Sequence, residues 1–195
     1  MAIRSLKTGQ FSRSALVGNP VIMPGSYESI ASVNGTGSAT YVEFTNIPST
    51  YTHLQIRGII QPNNPSGGGA TFASMRINGD TGTNYTHHYL RGDGASVTAV
   101  GGGSQNYGLV ALSTQGNATN VFTGFVMDIL DYANTNKYKT VRTLGGYDNN
   151  GSGNVALISC LWLSTNAITS VRIFANDGLN LNVSANAKFA LYGVN

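Results

Sequence analysis

From residue 26 onward, apolar and polar positions alternate with a period of two, the pattern of strands with one wet face. In YTHLQIRG, Leu54 and Ile56 point one way and His53, Gln55 and Arg57 the other. Val42 and Phe44 oppose Tyr41, Glu43 and Thr45, and Ala73, Met75 and Ile77 oppose Phe72, Ser74 and Arg76. Near the end, Val171 and Ile173 alternate with Ser170 and Arg172, and Leu179, Leu181 and Val183 with Asn180 and Asn182. No segment holds a 3.6-residue pattern with a cap. Two segments are apolar on both faces. In NVFTGFVMDILDY, Val121, Phe125, Met127 and Ile129 oppose Phe122, Val126 and Leu130. In NVALISCLWLST, Val155, Leu157, Leu161 and Leu163 oppose Ala156, Ile158, Cys160 and Trp162. A strand apolar on both sides needs cover on both sides, and a sandwich buries only its inner faces. The second faces require a loop, the N-terminal arm or another subunit.

Turn chemistry separates the runs: segments 63–69, 77–84, 92–94, 101–104, 132–138 and 147–154 are rich in Gly, Asn and Asp, which tolerate the left-handed conformations of tight turns. The pattern predicts roughly ten to twelve strands. The fold class expected is all-β, an antiparallel β-sandwich of jelly-roll type over residues 26–195, preceded by an extended arm over residues 1–25. The arm holds Arg4, Lys7 and Arg13 with no acidic residue, then the apolar Leu16, Val17, Val21, Ile22 and Met23, with Pro20 and Pro24 opposing helix. These eight basic and apolar residues are the candidates for docking the arm on a partner.

Composition narrows the function. Only 10% of the 195 residues are charged, 11 basic and 8 acidic, for a net charge of +3. That is too small a balance to point to nucleic acid, and no apolar run approaches the ~20 residues that span a bilayer. One cysteine gives no intrachain disulfide and no cysteine metal cluster. His87 and His88 are adjacent, so a strand sends them to opposite faces and they cannot chelate one ion together. Asp128 and Asp131 likewise fall on opposite faces, and Asp80, Asp93, Asp148 and Asp177 sit in turn sequences. No G-x-S-x-G elbow or phosphate-binding loop is present. No enzyme activity, cofactor or metal is expected. Surface recognition has more support: Tyr85, His87, His88, Tyr89 and Arg91 cluster in NYTHHYLRGDG, and Tyr107 follows. Aromatic faces beside uncharged hydrogen-bonding groups suit neutral sugars.

Several stretches resemble a known family: SYESIASV (26–33), FTNIPSTYTHLQIRGI (44–59), MRINGDTGTNYTHHYLRGDG (75–94), ILDYANTNKYKTVRTLGGYDNNGSG (129–153), LWLSTNAITSVRIF (161–174) and FALYGVN (189–195). They are similar to a β-rich domain of tailed bacteriophages, particularly phages of marine bacteria and cyanobacteria, found in tail-fibre-like and other virion proteins. IPSTYTHLQIRG and DYANTNKYKT are the most specific pieces. The resemblance implies a non-enzymatic virion structural protein, a homotrimer bound to other virion proteins through its arm and contacting a host cell-surface glycan. Localisation on the virion, as a tail or capsid surface appendage, goes with it; nucleic acid and membrane insertion do not. The short region ahead of the domain favours a short fibre, a baseplate appendage or a capsid decoration over a long fibre. Loops 63–69, 80–94, 101–107 and 147–154 are the expected display end, and a capsid decoration or cement protein without receptor binding is the alternative.

Overall fold

The computed structural model describes residues 26–63, 70–114, 120–176 and 182–195. The arm, with Arg4, Lys7, Arg13, Leu16, Val17, Val21, Ile22 and Met23, lies outside the described residues, as do loop 64–69, Asp177, Leu179 and Leu181. The described residues form fourteen strands: β1 (Tyr27–Asn34), β2 (Tyr41–Phe44), β3 (His53–Ile60), β4 (Pro62–Asn63), β5 (Ala70–Ile77), β6 (Tyr85–Gly92), β7 (Val97–Gln105), β8 (Gly108–Thr114), β9 (Thr123–Leu130), β10 (Lys139–Asp148), β11 (Gly153–Trp162), β12 (Val171–Asn176), β13 (Asn182–Val183) and β14 (Lys188–Val194).

They form an eight-stranded sheet in the order β1-β14-β3-β9-β10-β11-β6-β7 and a four-stranded sheet in the order β2-β12-β5-β8, with every pairing antiparallel. A third, two-stranded pairing joins β13 to β4. The chain passes from β1 to β2, β3 and β5 by switching sheets each time, then returns through β8, β9, β12 and β14 in the same manner. That wrap is a jelly roll, the fold class expected, in a strand order that alternation alone does not fix. The β6–β7 hairpin is inserted between β5 and β8, and β10–β11 between β9 and β12. Both insertions add to the same sheet, so one layer has twice the strands of the other.

The core lies between the layers. Leu54 and Ile56 on β3, Met127 and Ile129 on β9, and Ile158 on β11 meet Met75 and Ile77 on β5 and Val171 and Ile173 on β12, all within one buried cluster. Each is the inward half of an alternating pair, and full burial of such side chains contributes about 1.5–3 kcal/mol apiece. Polar groups pin the loops at the margin. Asn78, in the left-handed region at φ 51, donates from Nδ2 to the Ala167 carbonyl and accepts from the Thr169 and Ser170 amides. Lys139 is buried, and its ammonium donates to the carbonyls of Asn134, Lys137 and Thr165. Burial, then the nearby Lys137 charge, lowers its pKa. The Tyr132 hydroxyl donates to the Pro48 carbonyl.

One predicted turn is strand. Gly101–Ser104 lies inside β7. A Cβ on Gly101 would sit 2.7 Å from the His88 imidazole, and one on Gly102 2.8 Å from that of His87. The glycines let β7 approach two aromatic rings on β6, a close-contact role that composition alone presents as a turn.

Candidate interaction surface

The register places outward-facing side chains of the large sheet in straight rows. One row runs Asn34, Lys188, Ile59, Gly124, Gly146, Val155, Gly92 and Val97 across all eight strands. The next runs Ser32, Ala190, Arg57, Val126, Leu144, Leu157, Leu90 and Ala99. Ile59, Val97, Val126, Leu144, Val155, Leu157 and Leu90 are all exposed. A third row, Tyr192, Gln55, Asp128, Arg142, Ser159 and His88, is polar. The outside of this sheet therefore carries an apolar belt two rows deep, where a lone soluble sandwich would be wet. Contiguous apolar surface of this kind marks a contact face.

The belt is hollowed. Gly124 has open space where a Cβ would be. With Gly146 beside it, it floors a shallow trough of about 890 Å³ walled by Ile59, Val126, Leu144 and Val155. A second hollow of about 500 Å³ continues the belt over Leu157, Leu90 and Ala99. The ends differ in charge. Arg57 and Lys188 border the trough on the β1–β14–β3 side. Asp93 and Asp148, on the tips of the β6–β7 and β10–β11 hairpins, line a cleft at the other. Among the described residues the ion pairs are Lys137–Asp131 and Arg172–Glu43, with His53 Nδ1 accepting from the Asp131 amide; Lys188, Asp93 and Asp148 join neither pair. Arg57 lies over the Tyr27 and Tyr192 rings, 5.3 and 5.8 Å from their centroids, and donates to Gln55. Gln55 in turn donates to Asp128 and accepts from the Tyr27 hydroxyl.

The aromatic group expected to meet a host surface is divided by the sheet. Tyr85 is fully buried, and its hydroxyl accepts from the Ile77 amide at 2.9 Å. Burial pushes its pKa up to about 12. His87 is also buried, its pKa lowered first by that burial and then by His88. The parity of β6 turns both inward, so neither meets an external partner. His88 is exposed on the outer face, while Tyr89 and Arg91 are half-buried. Tyr89 packs on Phe72 with ring centroids 5.3 Å apart, and Tyr107 is partly buried against the core. The expected display end is corrected as well. Residues 85–92 and 97–105 are strands, and Tyr85 pairs with Gln105 while Gly92 pairs with Val97. Turns 80–84 and 106–107 therefore lie at one end of the sheet, and 93–96 and 149–152 at the other.

The remaining reactive side chains are tied into the fold. Asp80 accepts from Trp162 Nε1 at 2.7 Å, Asn84 Nδ2 at 2.9 Å and the Gly82 amide at 2.8 Å. Burial pushes its pKa up, but these donors, led by Trp162, outweigh it and leave the carboxyl below its ordinary value. Asp131 accepts from Lys137, which holds its pKa down, with His53 alongside. Cys160 is buried, its thiol 3.3 Å from the Leu109 carbonyl, and burial raises its pKa to about 12. Such a thiol is a packing group and not a nucleophile. Among the described residues no three His, Cys, Asp or Glu side chains come together as a metal site.

Leu144, Ile59, Leu90 and Val97 belong to the belt without having been singled out from the sequence. The signal for Leu144 was its parity: in KTVRTLGG it falls on the face opposite Val141 and Thr143. The chain matches no family model, no curated protein and no solved structure.

Proposed function

We propose that this chain is a non-enzymatic structural protein of a bacteriophage particle. It is a short tail-fibre-like or appendage-like β-protein that works as a homo-oligomer, a trimer by the sequence resemblance, docked on the virion through residues 1–25. The observation that carries the reading is the two-row apolar belt on the outer sheet face, with Leu144, Val155 and Leu157 each more than half exposed. A protein that acts alone on a small substrate has no use for such a face, whereas one that works in an assembly does. Rigid display follows: the wrapped sheets hold the turns at fixed spacing, and repeated copies turn weak contacts into avidity. His88 is the member of the β6 group left on the outer face for a host-surface glycan, since Tyr89 and Arg91 share the parity of Tyr85 and His87.

The inward Tyr85 and His87 favour a second reading. With two members of the aromatic group inside the sandwich, a capsid decoration or cement protein that binds only its neighbours needs nothing the surface lacks. Antibody labelling of purified particles under the electron microscope tests the proposal. Label on tail or capsid supports it, and particles without the protein overturn it. Binding of the purified protein to host cells then separates display from cement.

A further inference from the structure

We propose that the surface covering the apolar belt is a second copy of this chain, seated so that the Lys188 end of one belt meets the Asp93 end of the other. The inference deepens the assembly reading above and rests on it. Eight strands about 4.8 Å apart, with three outward positions about 6.8 Å apart along each, present about 780 Å². A standard interface buries about 800 Å² per partner, a size that the face only just approaches with its polar third row included. Its charges are arranged for self-recognition. Lys188 closes the glycine-floored row on one side, and Asp93 follows Gly92 at the other end of that row. Lys188 and Asp93 are both exposed and join no ion pair, and the Asp93 carboxylate is held in place by the Ala95 and Ser96 amides and the Ser96 hydroxyl.

A half-turn about an axis parallel to the strands reverses the strand order. It lays β9 of one copy over β10 of the other and β14 over β6. Val126 then meets Leu144 at the centre, and Lys188 meets the Gly92–Asp93 corner. This is the isologous contact of a two-fold pair. A ring of three cannot stack belt on belt in this way, so the contact is two-fold and stands in place of the trimer that the sequence resemblance implies. The polar third row, in which Gln55 already bonds to Asp128, forms the rim.

Sedimentation equilibrium of the full chain tests this, with circular dichroism as the check on folding. The wild type is expected to associate and Leu144→Asp to remain folded as a monomer. Lys188→Asp and Asp93→Lys should each weaken association about three- to tenfold, and the double variant should regain it. A wild type that stays monomeric overturns both this proposal and the oligomer reading. An oligomer indifferent to Leu144→Asp and to the charge variants overturns this interface alone. A chain lacking residues 1–25 that associates more tightly than the full chain shows the arm to be the cover, and overturns the proposal too.

Discussion

Val126 on β9 and Leu144 on β10 stand directly opposite each other in the middle of an eight-stranded sheet, and both face solvent. Their chain neighbours Phe125, Met127 and Thr143 are buried on the other side. At this point two adjacent central strands carry apolar side chains on the open face as well as on the enclosed one.

That asymmetry predicts unequal costs for placing a threonine on the two faces. Val126→Thr keeps shape and strand preference on an open face, and in dilute solution should alter stability by less than about 0.5 kcal/mol. Ile129→Thr, fully enclosed on the same strand, places a hydroxyl in the core and removes apolar volume, a loss of about 2–3 kcal/mol. Urea midpoints of the two variants check the contrast.

The glycines of β7 make a second pair. Gly102→Ala brings a methyl 2.8 Å from the imidazole of buried His87, which has nowhere to go, at a cost of about 1–3 kcal/mol. Gly101→Ala meets His88, whose ring is on the exposed face and swings aside; it should be nearly neutral. Adding His87→Ala should recover part of the Gly102→Ala loss, a non-additivity that a double-mutant cycle measures.

Asp80 and Trp162 offer an optical test. Trp162 is the chain's single tryptophan and is buried, with its indole N–H on Asp80. Asp80→Ala strands that donor, costing about 1–3 kcal/mol, and the tryptophan emission should shift to longer wavelength. Because the folded carboxyl titrates below its ordinary value, its contribution is full above the unfolded pKa and fades as pH falls through the folded one. The Asp80→Ala variant should lack that part of the acid transition.

Alkali acts through two other groups. Cys160 and Tyr85 have folded pKa values raised to about 12, from 9.0 and 10.0. The unfolded chain loses these protons first, so stability is full below pH 9 and falls from there towards pH 12. Replacing Cys160 with Ala should delay the onset to about pH 10, where Tyr85 begins to titrate in the unfolded chain. Urea midpoints measured across this range give the curve.

The strands were legible wherever one face was clearly apolar. Val155 and Leu157 turn out and Ala156, Ile158, Cys160 and Trp162 turn in, as their alternation requires. Legibility failed on β6, where Tyr85, His87, Tyr89 and Arg91 share one parity and Thr86, His88, Leu90 and Gly92 the other, and nothing local decides which set goes inside. The choice is made by β5, whose Ile77 amide needs the Tyr85 hydroxyl, a contact between separate strands. β7 was hidden for a related reason, since its glycines answer to imidazoles on another strand. The belt was half visible: β9 and β11 announced it, but its continuity needed the order β3-β9-β10-β11-β6, which places residues far apart in sequence side by side.

The two inserted hairpins attach to one side of the wrap and leave its connections untouched. β6–β7 and β10–β11 broaden a single wall while the opposing wall keeps its four strands. Neither ribbon is a detachable ornament, because β10 and β11 lie across β8 and Tyr85 on β6 holds the Ile77 amide. Stripping one away would expose the narrow layer beneath it, so breadth on the outside and enclosure on the inside are obtained from the same two hairpins.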